Sequence, residues 1–270
     1  MKEKFRNIGI IGIGHMGQAI IKGLKTAVHK KNILVIDKDE KKSKKISKKL
    51  KVKEAADLKI LVAEADIVIV CIKPQDIDSL LDKMSHFKLK DKLIISIAAG
   101  LTTSYILKKL KAKVAVIRVM PNINALAQRS VNAICEGKHA KKKDLANAHE
   151  IFDALGDNFI VSEEKMDAIT AISGSGPAYV ALFIKALSRA AKKSGLSLSE
   201  AEKIVAQTLE GTLRMLKKHN IKPEDFIRRV KSKGGTTEAA FKVLKRKGFE
   251  SIILEAVCAA KERSLKLGKR

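Results

Sequence analysis

The chain has no tryptophan, and aromatic residues make up only 4% of its 270 residues. Its three cysteines, Cys71, Cys135 and Cys258, are far apart, lie in apolar stretches and have no metal-ligand spacing. No uninterrupted apolar stretch approaches the about 18 residues that a membrane helix needs. These absences predict a reduced, cytoplasmic protein with no bound metal, no signal peptide and no membrane partner.

Acidic residues are also scarce, with 29 against 55 basic residues and a formal net charge of +26. A basic surface is one way to bind nucleic acid. However, the sequence has no helix-turn-helix, zinc-finger or RNA-recognition signature, and most lysines occupy exposed-looking helix positions. We therefore expect no specific nucleic-acid partner, although small anionic ligands would be drawn to the surface.

The two halves of the chain differ in their apolar pattern. Up to about residue 162, short β-branched runs alternate with amphipathic helices, as in a parallel α/β sheet. From residue 163 onward only helical periodicity remains. The predicted fold is α/β, with an N-terminal Rossmann-type dinucleotide-binding domain (1–162) followed by an all-helical C-terminal domain (163–270). Strands are expected at 7–11, 33–36, 67–72, 93–97 and 114–119, with two edge strands at 131–135 and 158–161.

The predicted helices of the second half present unusually wide apolar faces. They span 177–193, 199–219, 223–230, 237–247 and 249–267. One copy of so short a segment would leave part of these faces uncovered, so we expect the helical domain to form a homodimer.

A glycine fingerprint lies between the first strand and the first helix. Gly12, Gly14 and Gly17 form GxGxxG, with His15 and Met16 inside the motif. Gly12 permits a tight turn, Gly14 lets a pyrophosphate approach the backbone, and Gly17 permits close helix–strand packing. The helix N-terminus would hold the phosphate charge. The sequence therefore predicts a site for NADP(H) or NAD(H).

The choice between the two cofactors stays open. Asp37 ends the second strand and favours the free ribose hydroxyl of NAD. Lys38 and the lysines that follow favour the additional phosphate of NADP, and Lys38 could pair with Asp37 and cancel its charge.

Two later strand ends are expected to line the same crevice, because ligands of open α/β sheets bind at the carboxyl ends of strands. The first is Cys71, Ile72, Lys73 and Pro74. The second is Ala98, Ala99 and Gly100, whose small size would let a flat nicotinamide pass close to the backbone.

Two loops in the helical half are rich in glycine and hydroxyl groups. Residues 173–176 (SGSG) precede Pro177, and 232–237 (SKGGTT) precede another helix. Bare N–H groups, hydroxyls and a helix dipole together favour an anion. Each loop is also an ordinary helix start, but the pair beside a dinucleotide fold favours a small carboxylate substrate.

Taken in order, these motifs resemble the pyrroline-5-carboxylate reductase family over essentially the whole chain. They are the glycine fingerprint, Lys73-Pro74-Gln75, Ala98-Ala99-Gly100, Met120-Pro121-Asn122, the run from Asp167 through Tyr179, and Gly234-Gly235-Thr236-Thr237. The resemblance implies reduction of the cyclic imine 1-pyrroline-5-carboxylate to L-proline, the last step of proline biosynthesis, with NADPH or NADH.

The resemblance also implies roles for individual residues. Gly235, Thr236 and Thr237 would hold the substrate carboxylate. Ser175 and Glu163 would lie near the ring, with Glu163 a candidate partner for its nitrogen, and Thr237 is the candidate catalytic residue. Similar enzymes build this pocket across a dimer and often arrange dimers in rings.

Two alternatives stay open. The first is a β-hydroxyacid dehydrogenase-like NAD(P)-dependent oxidoreductase, for which Lys185 would be the general acid. The second is a non-enzymatic basic protein that binds nucleotides or nucleic acid and has kept the fold.

Overall fold

The computed structural model describes residues 7–27 and 32–268. Its centre is an eight-stranded sheet in the order β3-β2-β1-β4-β5-β6-β7-β8. The strands are β1 (Ile8–Ile11), β2 (Ile33–Ile36), β3 (Lys53–Glu54), β4 (Ile67–Val70), β5 (Leu93–Ser96), β6 (Ala115–Met120), β7 (Ser130–Glu136) and β8 (Gly156–Ile160). The order reverses between β1 and β4, which is the point where open α/β sheets bind ligands.

The first six strands run parallel, whereas β7 is antiparallel to β6 and parallel to β8. The predicted strands are therefore confirmed, with ends shifted by a few residues. One expectation was wrong: β7 pairs on both sides and is not an edge strand. The two-residue strand β3, which forms the opposite edge, was not predicted.

Six helices cover the two faces of the sheet. They are α1 (His15–Ala27), α2 (Glu40–Leu50), α3 (Leu58–Glu64), α4 (Ile77–Met84), α5 (Thr103–Leu110) and α6 (Lys142–Asp153). Helices α1, α2 and α6 pack on one face, and α3, α4 and α5 pack on the other. The predicted end of the first helix at Val28 lies outside the described residues.

Residues alternate between the two cores along the central strands, as strand geometry requires. In β1, Ile8 and Ile10 belong to the first core while Ile11 belongs to the second, and all three are at most 5% exposed. Since both faces of the central strands are covered, β1, β2 and β4 consist almost entirely of apolar residues, which is why continuous β-branched runs identified them in the sequence.

The chain after β8 is helical. Its elements are α7 (Met166–Ile169), a π-helix (Thr170–Gly174), α8 (Gly176–Lys193), α9 (Leu198–Lys218), α10 (Pro223–Val230), α11 (Thr236–Arg246) and α12 (Phe249–Gly268). Ser197 caps α9 through a capping box with Glu200. Gly195 and Gly248 follow helices with positive φ angles of 102° and 67°.

The residues 173–175 do not form an open loop before a helix, as the sequence suggested. They belong to or directly follow the π-helix, and the Ser175 N–H donates to the Thr170 carbonyl at 3.1 Å. Two contacts from the end of β6 and the segment after it explain this: the Asn122 side chain donates to Ser173 Oγ at 2.9 Å, and Met120 packs against Gly174. This segment therefore does not offer the free N–H groups of a helix start.

The chain divides into two compact units. One comprises the residues up to Ser175 together with those from Ala260 onward, and the other is Gly176–Ala259. In the second unit α8 packs against α9, and the rings of Phe183 and Phe249 lie 6.4 Å apart. The boundary after residue 162 stays a prediction.

Most large apolar side chains of the second unit are exposed. Leu182 is 65% exposed and Leu254 is 64% exposed, while Ala201 and Val205 are buried. By length and composition alone, the segment Glu163–Lys193 is also long and apolar enough to cross a membrane. One such helix among the described residues is weak evidence for a membrane-spanning segment. Extensive exposed apolar surface is typical of a face that another protein surface covers.

Candidate active site

The glycine loop between β1 and α1 has the backbone that the fingerprint requires. Gly12 has a φ of +92°, and a Cβ there would lie 2.8 Å from the Cys71 carbonyl oxygen. A Cβ on Gly17 would lie 2.2 Å from the Gly12 carbonyl oxygen. At Gly14, by contrast, no atom of the described residues other than its own chain neighbours lies within 4 Å of the position a Cβ would take. The first and third glycines thus permit packing, and the second faces open space.

Asp37 holds this loop in place from the end of β2. Its Oδ2 accepts hydrogen bonds from the Ile13 N–H and from Lys42 Nζ, both at 2.8 Å, and its Oδ1 accepts from the Asp39 N–H at 3.2 Å. Burial alone would raise the pKa of Asp37, but the bonds from Lys42 and the two N–H groups outweigh burial and lower it. Asp37 is therefore an ionised carboxylate paired with Lys42.

An open cleft of about 560 Å³ lies beside this loop, at the point where the strand order reverses. Of the predicted cofactor residues, it brings together Gly12, Gly14, Asp37, Lys38, Cys71, Ile72 and Lys73. Lys38 pairs with Asp76 at 2.9 Å and not with Asp37, contrary to the suggested pairing. Two further lysines, Lys42 and Lys83, line the same cleft.

The other predicted cofactor residues differ in their surroundings. His15 is exposed at the first position of α1, Met16 is half-buried and Gly17 is buried. Pro74 begins a short 3-10 helix after β4. The Cys71 thiol is a poor nucleophile, because burial raises its pKa.

Residues Ala98, Ala99 and Gly100 follow β5 and lead into α5. Ala98 is 3% exposed and Ala99 is half-buried. Gly100 has a φ of +78°, and a Cβ there would lie 2.7 Å from the Ser264 carbonyl oxygen. At Gly100, therefore, the missing side chain makes room for the last turn of α12.

Glu163 and Ser175 both lie in the first unit. Glu163 Oε1 accepts from the Thr103 N–H at 2.7 Å, and Oε2 accepts from Thr103 Oγ1 at 3.0 Å. Both carboxylate oxygens thus already have a partner at the start of α5. Ser175 is half-buried and is the first residue after the π-helix.

The GGTT segment forms the start of α11 in the second unit. Gly235 is the N-cap, with no side-chain cap, and Thr236 and Thr237 are the first helical residues. Thr236 is exposed and Thr237 is half-buried. The Gly234 N–H donates to Glu238 Oε2 at 3.0 Å, which fixes the entry into the helix. The N–H groups at this helix start can hold an anion.

The described residues fit a dinucleotide in the first unit. The open space at Gly14, the N-terminus of α1 and the lysines of the cleft suit a pyrophosphate and a further phosphate. In residues 7–27 and 32–268, no group of three or more histidine, cysteine or carboxylate side chains could hold a metal ion.

Several cleft residues were missed by sequence reasoning: Gln75, Asp76, Ser79, Leu80 and Lys83. The signal was available, because the segment after a strand's carboxyl end continues along the crevice. Asp76, Ser79 and Lys83 are also three or four residues apart, which places them on one side of a helix, with Leu80 next to Ser79.

Fold and site together define an α/β dinucleotide-binding oxidoreductase with a helical C-terminal half. Residues 163–267 match the family model for pyrroline-5-carboxylate reductase dimerisation, and residues 7–100 match that for coenzyme F420-dependent NADP oxidoreductase. The chain is 37% identical to a pyrroline-5-carboxylate reductase of Methanosarcina acetivorans over 98% of this chain and 99% of the relative. It belongs to the pyrroline-5-carboxylate reductase family.

Solved structures agree with this assignment. The 1-pyrroline-5-carboxylate reductase of Streptococcus pyogenes superposes with a TM-score of 0.91 at 34% identity, covering 97% of this chain and 98% of the other. The pyrroline carboxylate reductase of Plasmodium falciparum, solved with NADP bound, gives 0.90 at 29% identity and covers 98% and 99% of the two chains. The predicted fold class, family resemblance and identity as an NAD(P)H-dependent oxidoreductase are confirmed.

Proposed function

We propose that the chain reduces 1-pyrroline-5-carboxylate to L-proline, with Thr237 as the residue that positions the ring nitrogen. The observation that supports this most is the uncapped start of α11, where Thr236 and Thr237 follow Gly235 inside the region that matches the family model. Its N–H groups suit the substrate carboxylate, and the half-buried Thr237 hydroxyl suits the adjacent ring nitrogen.

The reaction needs orientation more than a covalent nucleophile. When bound, the reduced nicotinamide supplies the hydride. Thr236 and Gly235 hold the carboxylate, and the Thr237 hydroxyl holds the ring so that a proton reaches the nitrogen while the imine carbon is reduced. Ser175 orients the ring. Glu163 is the weaker candidate for the nitrogen, because Thr103 engages both of its oxygens.

The same proposal includes NADPH as the preferred cofactor. Lys42 already compensates the charge of Asp37, so that Asp37 repels an additional phosphate less than a free carboxylate would. Lys38, Lys73 and Lys83 add three cations to the cleft, against the one further carboxylate of Asp76. The structure of the Plasmodium falciparum relative contains NADP, in agreement with this choice.

Self-association through the helical half follows from the dimerisation model that matches residues 163–267. We extend this to dimers arranged in a ring and to a cytoplasmic location. The exposed apolar residues of the second unit support a partner subunit as the covering surface, in place of a membrane.

The test is imine-dependent oxidation of NADPH and of NADH, followed by the absorbance of the reduced nicotinamide. We expect oxidation with both, faster with NADPH. Thr237→Ala should lower kcat about tenfold or more, as the loss of a positioned proton-transfer group does, whereas Thr237→Ser keeps the hydroxyl and should lose less. No oxidation with either cofactor overturns the reaction, and unchanged kinetics in Thr237→Ala remove Thr237 from it.

A further inference from the structure

One arginine is buried in the middle of the sheet. Arg118 lies on β6 between Ile117 and Val119, and its side chain is 1% exposed. Its Nη2 lies 3.4 Å from Asp167 Oδ1, and its Nη1 lies 3.8 Å from Glu163 Oε1 without a hydrogen bond. A buried charge is costly unless partners compensate it, so these two carboxylates are required neighbours.

Each of the two carboxylates also fixes a second element. Glu163 accepts both the N–H and the hydroxyl of Thr103, the first residue of α5. Asp167 Oδ1 accepts from Ser264 Oγ at 2.6 Å. Ser264 is 3% exposed and lies near the end of α12. Arg118 thus links the start of α5 and the end of α12 through one pair of acidic residues.

The end of α12 in turn lies directly against Gly100. A Cβ on Gly100 would be 2.9 Å from Leu267 Cβ, and a Cβ on Gly268 would be 2.1 Å from the Gly100 carbonyl oxygen. Such contacts leave room for no side chain on either glycine. The last turn of α12 therefore sets the position of the segment 97–102, which we call the β5–α5 loop.

The β5–α5 loop is held at two points. Glu163 anchors its exit at Thr103, and the last turn of α12 packs against Gly100 in its middle. The loop follows the carboxyl end of β5, next to β4 in the sheet. This is the edge at which parallel sheets of this topology bind their ligands.

We propose that Arg118, Asp167 and Ser264 are positioning residues that fix the β5–α5 loop for reduction of the imine. This rests on the proposed function for its chemistry, since it assigns the loop to the reacting end of the dinucleotide. The three residues act on the loop and not on the glycine fingerprint, so they influence turnover while dinucleotide affinity stays nearly constant. Small shifts in such supporting contacts lower rates markedly, because the reacting atoms must be closely aligned.

The test uses Ser264→Ala, which removes one hydroxyl from a buried helix position. Ser188→Ala is the matched control: Ser188 is 5% exposed on α8, and its hydroxyl has no hydrogen-bond partner among the described residues. Asp167→Asn is the second variant: its amide oxygen can still accept from Ser264, but the charge beside Arg118 is lost. Amide hydrogen exchange of residues 98–104 is measured beside kcat, KM and the dissociation constant of NADPH, all on the full chain.

We expect Ser264→Ala to speed exchange in residues 98–104 and to lower kcat about tenfold, with the dissociation constant of NADPH within about twofold of the wild type. Asp167→Asn should also speed exchange in residues 98–104, because it removes a charge that compensates the buried Arg118, and Ser188→Ala should match the wild type. The proposal is wrong if Ser264→Ala matches Ser188→Ala in both exchange and kcat. It is also wrong if exchange rises throughout the first unit and NADPH affinity falls in parallel.

Hydrogen exchange separates this inference from the proposed reaction. If the wild type fails to reduce the imine, the proposed function falls, while faster exchange confined to residues 98–104 in Ser264→Ala still supports the link between Ser264 and the loop.

Discussion

Replacing Lys42 by glutamine tests how the cleft distinguishes NADPH from NADH. Lys42 is 37% exposed, and its Nζ lies 2.8 Å from Asp37 Oδ2, whose side chain is 9% exposed. Lys42→Gln removes the cation but keeps a donor that can reach Asp37. We expect the affinity for NADPH to fall about tenfold and that for NADH to change by less than about threefold.

The magnitude follows from two effects. A hydrogen bond between a charged donor and a phosphate contributes about 1.5–3 kcal/mol. The lysine is partly exposed, so solvent and salt screening bring its contribution just below this range, to about 1.4 kcal/mol or a factor of ten in affinity. The change also leaves the charge of Asp37 uncompensated. The Asp37 carboxylate then repels an additional phosphate but can still accept a hydrogen bond from a ribose hydroxyl.

The assay is a fluorescence titration of each reduced cofactor at low and moderate salt. Lys48→Gln is the control, because Lys48 is an exposed lysine of the same helix, away from the residues that line the cleft. Equal weakening of NADPH and NADH would refute the reasoning, since Lys42 would then act only by holding Asp37 and the glycine loop. Unchanged NADPH affinity in Lys42→Gln would refute it as well.

Three further predictions concern the glycine loop, acid stability and association. Gly17→Ala should abolish dinucleotide binding, because its Cβ would lie 2.2 Å from the Gly12 carbonyl oxygen, whereas Gly14→Ala should keep the fold and only weaken binding in the same titration. The pKa of Asp37 is lowered in the folded chain, so its stabilising contribution is present above about pH 4 and is lost as pH falls further; Asp37→Asn should flatten that loss in acid unfolding curves. Leu182→Asp places a charge at a side chain that is 65% exposed in one copy and should shift sedimentation toward the monomer, and an unchanged dimer would show that this face is not the interface.

The sheet and its crevice could be predicted because their signals are local. A strand buried on both faces is a continuous apolar run, and the glycine fingerprint needs its three positions for steric reasons within a few residues. The strand β3 was missed because two residues, Lys53 and Glu54, form no pattern. It pairs at the sheet edge, where a half-exposed backbone tolerates charged side chains.

The π-helix was misread for a different reason. Serines and glycines before a proline favour a turn, and the local sequence gives no signal for a π-helix. In the folded chain, Asn122 bonds Ser173 and Met120 fills the space beside Gly174. These contacts join residues about fifty positions apart, so a tertiary arrangement overrides the local preference.

The surroundings of Arg118 include a feature that the sequence could have predicted. A single arginine inside the run AVIRVM is a charge within a strand that is otherwise suited to complete burial. Since an unpaired buried guanidinium is too costly, the pattern alone requires carboxylates nearby. It does not say which ones, because Glu163 and Asp167 are far from Arg118 along the chain and meet it only in the folded structure, where Ser264 in turn donates to Asp167. A lone charge in a buried strand therefore predicts the existence of a polar cluster, and its partners have to come from the three-dimensional structure.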